Sequence, residues 1–502
     1  MTDPVDDESP ASGAERRTPT GRLAAVDRYF KISERGSTVV REMRGGLVTF
    51  FAMAYIVVLN PIIIGGTAAT GDDPGTNVDA FGHALDPNQV TAVTALVAGV
   101  MSLLFGLVAN FPFAFAAGLG INSLLAVTIA PQMSWPAAMG LVVIDGIIIV
   151  ILGITGVRTA VFNAVPNELK AAIAAGIGAF IALVGLANAG FVTHGSPHGP
   201  PVQLGIDGSV ATVPTLLFAV GVLLMGVLVV RRVPGGLLLG IVVMTIVSII
   251  VEAFLDLESG DEGGWAMNVP TLPEGGVGVP DLSLVGDVDL FGAFTGAFEH
   301  VGVLIACVFV FSLVLSNFFD AMGTMTGLGK EAGLTDSKGN LPGIGKALAV
   351  EGVGAVVGGA ASSSSNTVFV ESSSGIAEGA RTGLANVVTG TLFLAAMFFT
   401  PLYKVVPMEA VAPALVIVGA LMMAQVREID FSRFELALPA FLTIVAMPFT
   451  YSIANGIGVG FISWVVLAVA RGRWRQTHLL LWVVAALFIL YFARGPIAHL
   501  VG

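Results

Sequence analysis

The chain has 502 residues, 55% hydrophobic and 12% charged, against about a quarter charged in ordinary soluble domains, which excludes a water-soluble globule. Its net charge of −12 comes from acids grouped near the N-terminus and in two long loops, which argues against a nucleic-acid partner. The single cysteine, Cys307, falls in a predicted span, which excludes an internal disulfide and reads as a small packing residue.

Residues 1–26 are acidic, contain Pro, Ser and Gly, and have no apolar leader, so they are expected to be a disordered tail. Lys and Arg crowd the stretch from Arg16 to Arg44, just before the first apolar run, and place the N-terminus in the cytoplasm. Apolar runs, each long enough to cross ~30 Å of hydrocarbon, predict spans at 45–66, 90–109, 112–130, 135–157, 168–190, 211–230, 234–255, 297–320, 344–361, 366–381, 383–401, 409–426, 435–470 and 476–495. That is about fourteen, in a bundle rather than an anchor. Counting from inside, the loops at 67–89, 191–210 and 256–296 face outward and hold no Lys or Arg. Arg158, Arg231, Arg232, Lys330, Lys338, Lys346, Arg381, Arg427 and Arg433 fall inside, with Lys404 an exception. Arg471, Arg473, Arg475 and Arg494 fit no single count, because 435–470 is too long for one helix and holds MPFTYSIANGIG (447–458), either a break or a hairpin turn.

Two spans are interrupted by small and polar residues: PFAFAAGLGINS (112–123) and SSSSNTVFVESSSG (362–375). Four serines, Asn366 and Thr367 make a poor lipid-facing helix, so this backbone must face protein or a water-filled cavity. Thr367 to Val370 has the β-branched and aromatic character of a short strand, and Ser372 to Ser374 suits the cap of a helix running to Arg381. Such a strand-to-half-helix break presents free N–H groups at the bilayer centre. Glu371 sits on it, and a carboxylate there needs a partner, a proton or a polar cavity. It either contacts a solute or caps its own helix, and the two roles are compatible.

Asp320, in NFFDAMGTMTGLG (317–329), lies inside its span if the helix continues to Leu328; Thr324 is one turn on and shares its face. Together they offer a carboxylate acceptor and a hydroxyl to one ligand, the alternative being an Asp320–Lys330 pair. Asn122, in the earlier break, can donate and accept, or serve as glue between helices. Asp145 and Glu351 are buried-span acids suited to a proton relay, and Glu378 is expected to pair with Arg381 one turn away. VPNELKAAIAAGIGAFIALVG (165–185) and VPMEAVAPALVIVG (406–419) share a Val-Pro start and a Val-Gly end, a trace of internal repetition.

These segments match a known family. FKISERGSTVVREMRGGLVTFFAMAYIVVLNP (30–61), PFAFAAGLGINS, NFFDAMGTMTGLG, DSKGNLPGIGKAL (336–348), TVFVESSSGIAEGARTGL (367–384), APALVIVGALM (412–422) and MPFTYSIANGIG occur in order. The chain resembles the AzgA-like hypoxanthine/guanine/adenine permeases of the nucleobase/ascorbate transporter superfamily. That resemblance implies an all-α polytopic membrane protein of about 14 transmembrane helices, arranged as two inverted seven-helix repeats with core and gate domains and short strands in helices 3 and 10. It implies a first repeat over 27–255, an outer loop over 256–296 and a second repeat over 297–502. It also implies proton-coupled import of purine bases at the plasma membrane, with Glu371 and Asp320 hydrogen-bonding the base, Asn122 nearby and the backbone of Phe369 in contact. The Gln/Glu-Asn-x-Gly signature of the xanthine, urate and ascorbate branch is missing after Glu371, which disfavours those substrates.

A purine is flat, neutral and edged with N–H donors and ring-nitrogen acceptors, so a carboxylate and backbone N–H groups suit it together. Proton symport follows if Asp320 or Glu371 takes up a proton on one side and releases it on the other. The rivals are an anion carrier of the sulfate/bicarbonate type, which two carboxylates at the break would repel, a membrane enzyme and a cation channel. Neither a nucleophile motif, a phosphate loop nor a metal cluster is visible, so no cofactor is expected and His194, His198 and His300 fall in loops or at span ends. A homodimer is plausible for the superfamily.

Overall fold

In hydrocarbon every backbone N–H and C=O must be paired within the protein, so the apolar runs become helices wherever sequence allows. The computed structural model describes residues 22–70, 75–155, 165–195, 202–206, 208–210, 212–257, 263–266, 269–272, 275–295, 303–336 and 341–493. Of the predicted disordered tail, 1–26, residues 1–21 lie outside the described residues and 22–26 are instead part of a helix, Arg22–Phe30; Arg158, His198, His300, Lys338 and Arg494 also lie outside the described residues.

The elements in chain order are α1 (Arg22–Phe30), α2 (Val39–Met53), α3 (Ile56–Ile64), α4 (Pro87–Val108), β1 (Phe115–Ala117), α5 (Leu119–Leu124), α6 (Trp135–Thr155), α7 (Asn167–Asn188), β2 (Val192–His194), β3 (Val202–Leu204), α8 (Val213–Val230) and α9 (Gly236–Leu255). Then come α10 (Gly292–Thr295), α11 (Val303–Glu331), α12 (Ile344–Ala360), β4 (Asn366–Val368), α13 (Ser372–Ala377), α14 (Gly383–Ala396), α15 (Met408–Met423), α16 (Phe434–Phe449), α17 (Ile453–Ala470) and α18 (Leu479–Phe492). Among the described residues ten helices are long and apolar enough to cross a membrane, and three shorter apolar helices accompany them. The protein is thus a mostly helical, multi-pass membrane protein.

Helices pack closely where glycine removes the side chain. A Cβ at Gly178 of α7 would stand 2.7 Å from the Gly419 carbonyl of α15, and one at Gly146 of α6 would stand 2.8 Å from Gly352 O of α12. Gly106 of α4 meets Gly383 of α14 in the same manner. Without a hydrophobic drive between helices in lipid, such close approach is what holds a bundle together.

The predicted 435–470 span is two helices. After Phe449 the chain turns through Tyr451 (φ 51°), and the Ser452 side chain accepts from Asn455 N to start α17. Met447 and Thr443 of α16 then face Gly456 and Gly460 of α17, as in a hairpin. Glu435, at the start of α16, bonds both Arg433 and Arg471, the latter just past the end of α17, so both ends of the hairpin lie at one face of the bundle.

Two expectations are corrected. Glu378 does not pair with Arg381; it pairs with Arg44 at 2.6 Å, while Arg381 Nη1 donates to the carbonyls of Ile376 and Ala380. The short helix α13 ends one turn early, and its open carbonyls draw in the guanidinium. Cys307 is exposed on α11 rather than packed inside.

Candidate functional site

The two polar breaks meet. β1 and β4 pair antiparallel, with Phe115 opposite Val368, Ala116 opposite Thr367 and Ala117 opposite Asn366. Gly118 N donates to Ser365 O at 2.9 Å and Phe369 N to Ala114 O at 3.0 Å, which extends the ladder at both ends. The observed strand, 366–368, begins one residue before the predicted one. Each strand runs into a short helix, α5 or α13, and because the strands are antiparallel the two helices leave the pair in opposite directions. Neither helix start has a side-chain cap; at α13 the first N–H groups are spent on the carbonyls of Phe369, Val370 and Glu371, while the positive ends of two helix dipoles lie near the strand pair.

Small residues are needed here because backbones crowd. Ser362, Ser363, Ser364 and Ser365 are all buried, and Ser362 and Ser364 take positive φ. Gly354 of α12 has room for no side chain, its Cβ position lying 2.7 Å from Asn366 O. Ser372 does not cap α13; its hydroxyl accepts from Ala114 N at 3.0 Å and ties α13 to the first break.

Glu371 stands at the N-cap position of α13, yet its side chain makes no cap bond. Instead Tyr55 Oη donates to Glu371 Oε1 at 2.6 Å. Tyr55 is fully buried at the kink between α2 and α3, so it holds the carboxylate from a third element while Glu371 itself stays half-buried. Gly45 and Thr49 of α2 pack against Gly375 of α13, fixing that half-helix beside the kink.

Asp320 lies inside α11, which continues to Glu331, and both it and Thr324 are half-buried. The acids that bear on Asp320 electrostatically are Glu371 and Glu351. One turn before Asp320, Asn317 donates its Nδ2 to Asp145 Oδ2 at 3.1 Å and to Ser365 Oγ at 2.9 Å. Asp145 therefore belongs to a network tying α6 and α11 to the second break.

Asn122 is fully buried on α5, where its Nδ2 donates to Asn60 Oδ1. Asn60 in turn donates to Thr94 Oγ1 at 2.7 Å and Ser363 O at 3.2 Å. Asn122 thus works as glue across α3, α4 and both breaks, and only its Oδ1 has no partner among the described residues. Asn317 Oδ1, Asn366 Oδ1 and Thr367 Oγ1 share that condition, so spare buried acceptors collect around the strand pair. Phe369 offers less than expected: its N–H is spent on Ala114 and its C=O accepts from Ser372 N at 3.1 Å, leaving the side chain, 7% exposed.

Tyr55, Asn60 and Asn317 escape a reading of charged residues alone. The available signal was an aromatic hydroxyl and an Asn-Pro pair in the middle of the first apolar run, and an amide one turn from Asp320.

At the far end of α13 the chain is clamped. Glu42 accepts from Arg381 N at 2.9 Å and Thr382 N at 3.1 Å, Arg35 donates to Arg381 O at 3.0 Å, and Ser37 donates to Gly379 O at 3.0 Å. The basic segment before α2 is thereby fastened to residues 379–382.

Residues 41–459 match a family model described as Permease family. The chain is 37% identical over 468 residues to the guanine/hypoxanthine permease PbuG of Bacillus subtilis, covering 92% of this chain and 98% of that protein. It is 36% identical to the adenine permease AdeQ of Escherichia coli, covering 93% and 95% respectively. Among solved structures, the transmembrane domain of the cyanobacterial bicarbonate transporter BicA is similar in fold, with a TM-score of 0.54 at 16% identity over 86% of this chain and 96% of that one.

Proposed function

Since the chain belongs to this permease family, within the nucleobase/ascorbate transporters, we propose that it imports purine nucleobases (hypoxanthine, guanine and adenine) across the plasma membrane by proton symport. It is a carrier, not an enzyme. The observation that carries the reading is Glu371, a half-buried carboxylate held by Tyr55 at the mouth of a broken helix with Asp320 nearby. Glu371 accepts the N–H edge of the base, Asp320 and Thr324 hold a second edge, and the side chain of Phe369 supplies an apolar wall. The uncapped start of α5 serves the ring-nitrogen acceptors. Asn122 sets the position of the first break through Asn60.

The coupling proton resides on Asp320 or Glu371. When a proton neutralises one of the two acids, the loaded core carries less charge and crosses more cheaply than the empty one, which links the two fluxes.

The helix pairings support two inverted seven-span repeats. If α4, the first break, α6, α7 and α8 correspond in order to α12, the second break, α14, α15 and α16, then the α4–α14 pair maps onto α12–α6, and α8–α15 onto α16–α7. All four pairs are packed together. On this reading the repeat unit 27–255 is matched by 297–470, and α18 is an addition to it. The N-terminus is cytoplasmic, and the hairpin at 450–452 then brings Arg471, Arg473 and Arg475 to the cytoplasmic side. A homodimer is consistent with the reading.

The second reading is an anion transporter of the sulfate/bicarbonate type, a class that shares this fold and that two acids at the break oppose. The test is uptake of radiolabelled hypoxanthine, guanine, adenine, xanthine, uracil and bicarbonate by cells lacking their own carriers, with and without a protonophore. Protonophore-sensitive uptake of the first three is expected. Bicarbonate uptake without purine uptake overturns the assignment.

A further inference from the structure

A cavity of about 410 Å³ opens far from the strand pair, where α7, α16 and α18 begin and α17 ends. Pro166, Arg433 and His478 precede those three helices, and the first two starts have no side-chain cap. Unpaired N–H groups and positive dipole ends therefore converge on one space.

The charged lining has the same sign. Arg433, Arg471 and Arg473 face it against a single acid, Glu435. Glu435 is already shared between Arg433 and Arg471, and the Arg473 guanidinium has no ion-pair or hydrogen-bond partner among the described residues. The His478 Nδ1 is occupied by Leu480 N, which leaves its other ring nitrogen outside the cap.

Depth selects the occupant. α17 is a candidate span ending at Ala470, so Arg471 and Arg473 sit at the headgroup level. Trp474, 52% exposed with the Arg475 guanidinium 4.9 Å over its ring, is the residue type enriched at that level. Deeper in the cavity the wall is apolar, formed by Leu436, Trp464, Leu467 and Leu481. An occupant that fits both halves is anionic at one end and hydrocarbon at the other.

We propose that this cavity binds a phosphate group, and that an acidic phospholipid supplies it. The anion is held by Arg473 and the surplus charge of Arg433 and Arg471, with an acyl chain along the apolar wall. The lipid then bridges α7, the α16–α17 hairpin and α18.

The full-length protein, saturated with phosphatidylglycerol and passed into phosphatidylcholine nanodiscs, is assayed for retained phosphatidylglycerol by native mass spectrometry. Wild type is expected to retain it, Arg473→Gln to retain about fivefold less, and Arg231→Gln, at a basic site away from the cavity, to match wild type. Millimolar inorganic phosphate should leave the lipid in place; displacement by it would make a soluble phosphate the occupant and overturn the lipid assignment. Equal retention by wild type and Arg473→Gln, with unchanged thermal midpoints, overturns the site altogether. Arg473 is exposed in a loop, so its replacement leaves the fold intact.

Discussion

The two broken segments share a plan and differ in content. The first, 115–124, is a strand and a short helix whose polar side chain, Asn122, is fully buried and engaged with Asn60. The second, 366–377, is also a strand and a short helix, but it carries Glu371, half-buried and held by Tyr55 from a third element. The first break continues through a π turn and a 3₁₀ turn to Gln132, whereas α13 stops after six residues and is clamped by Glu42, Arg35 and Ser37. Equal backbones with unequal side chains fit the proposed division of two jobs, in which one break positions and the other meets the solute.

That division is open to measurement. Glu371→Gln, which keeps the shape and removes the charge, should lower purine uptake by roughly two orders of magnitude at unchanged membrane abundance, the scale of losing charge-assisted hydrogen bonds. Gly178→Leu, which drives a side chain into the Gly419 backbone, should cost about 1–3 kcal/mol or more and show as a lower thermal midpoint with little protein in the membrane. Tyr55→Phe should reduce uptake about tenfold through KM, since one O–H donor to the carboxylate is lost. Asn122→Ala should reduce uptake only a few-fold and lower the thermal midpoint, because it acts through packing of the first break. If it proves as severe as Glu371→Gln at full abundance, the two breaks are not divided in the way argued. Arg44→Gln removes an ion pair whose Arg is 67% exposed and should change both readouts by less than about 1 kcal/mol.

Much of this was legible beforehand, for identifiable reasons. Hydrocarbon tolerates few polar residues, so SSSSNT announced a break with Glu371 on it, and the Pro/Asn/Gly stretch at 447–458 announced the turn that splits 435–470. What stayed hidden depended on pairs far apart in sequence. Glu378 had a neighbour of opposite charge one turn away, yet Arg44 reached it first because residues 35–44 fold back onto 378–382. Tyr55 lies in an unbroken apolar run, where an aromatic reads as packing until a carboxylate from the other half of the chain is seen beside it. Phe369, expected inside the strand, follows its end at Val368, and its N–H continues the ladder to Ala114, a pairing across the two halves that sequence alone does not show.

The strand pair also has a history within each molecule's synthesis. Phe115 lies opposite Val368 in the antiparallel pair, so the ribosome completes one edge some tens of seconds before the other, at about 5–20 residues per second. During that interval β1 is an open strand edge at membrane depth, where lipid provides no hydrogen bonds. The first half of the protein must therefore wait in a shielded, unfinished state, and a chain truncated before residue 366 lacks the strand that closes this edge. The groups left unpaired without the second break include Ala114 O and Gly118 N, so a chain truncated before residue 366 should be degraded faster than one truncated after β4.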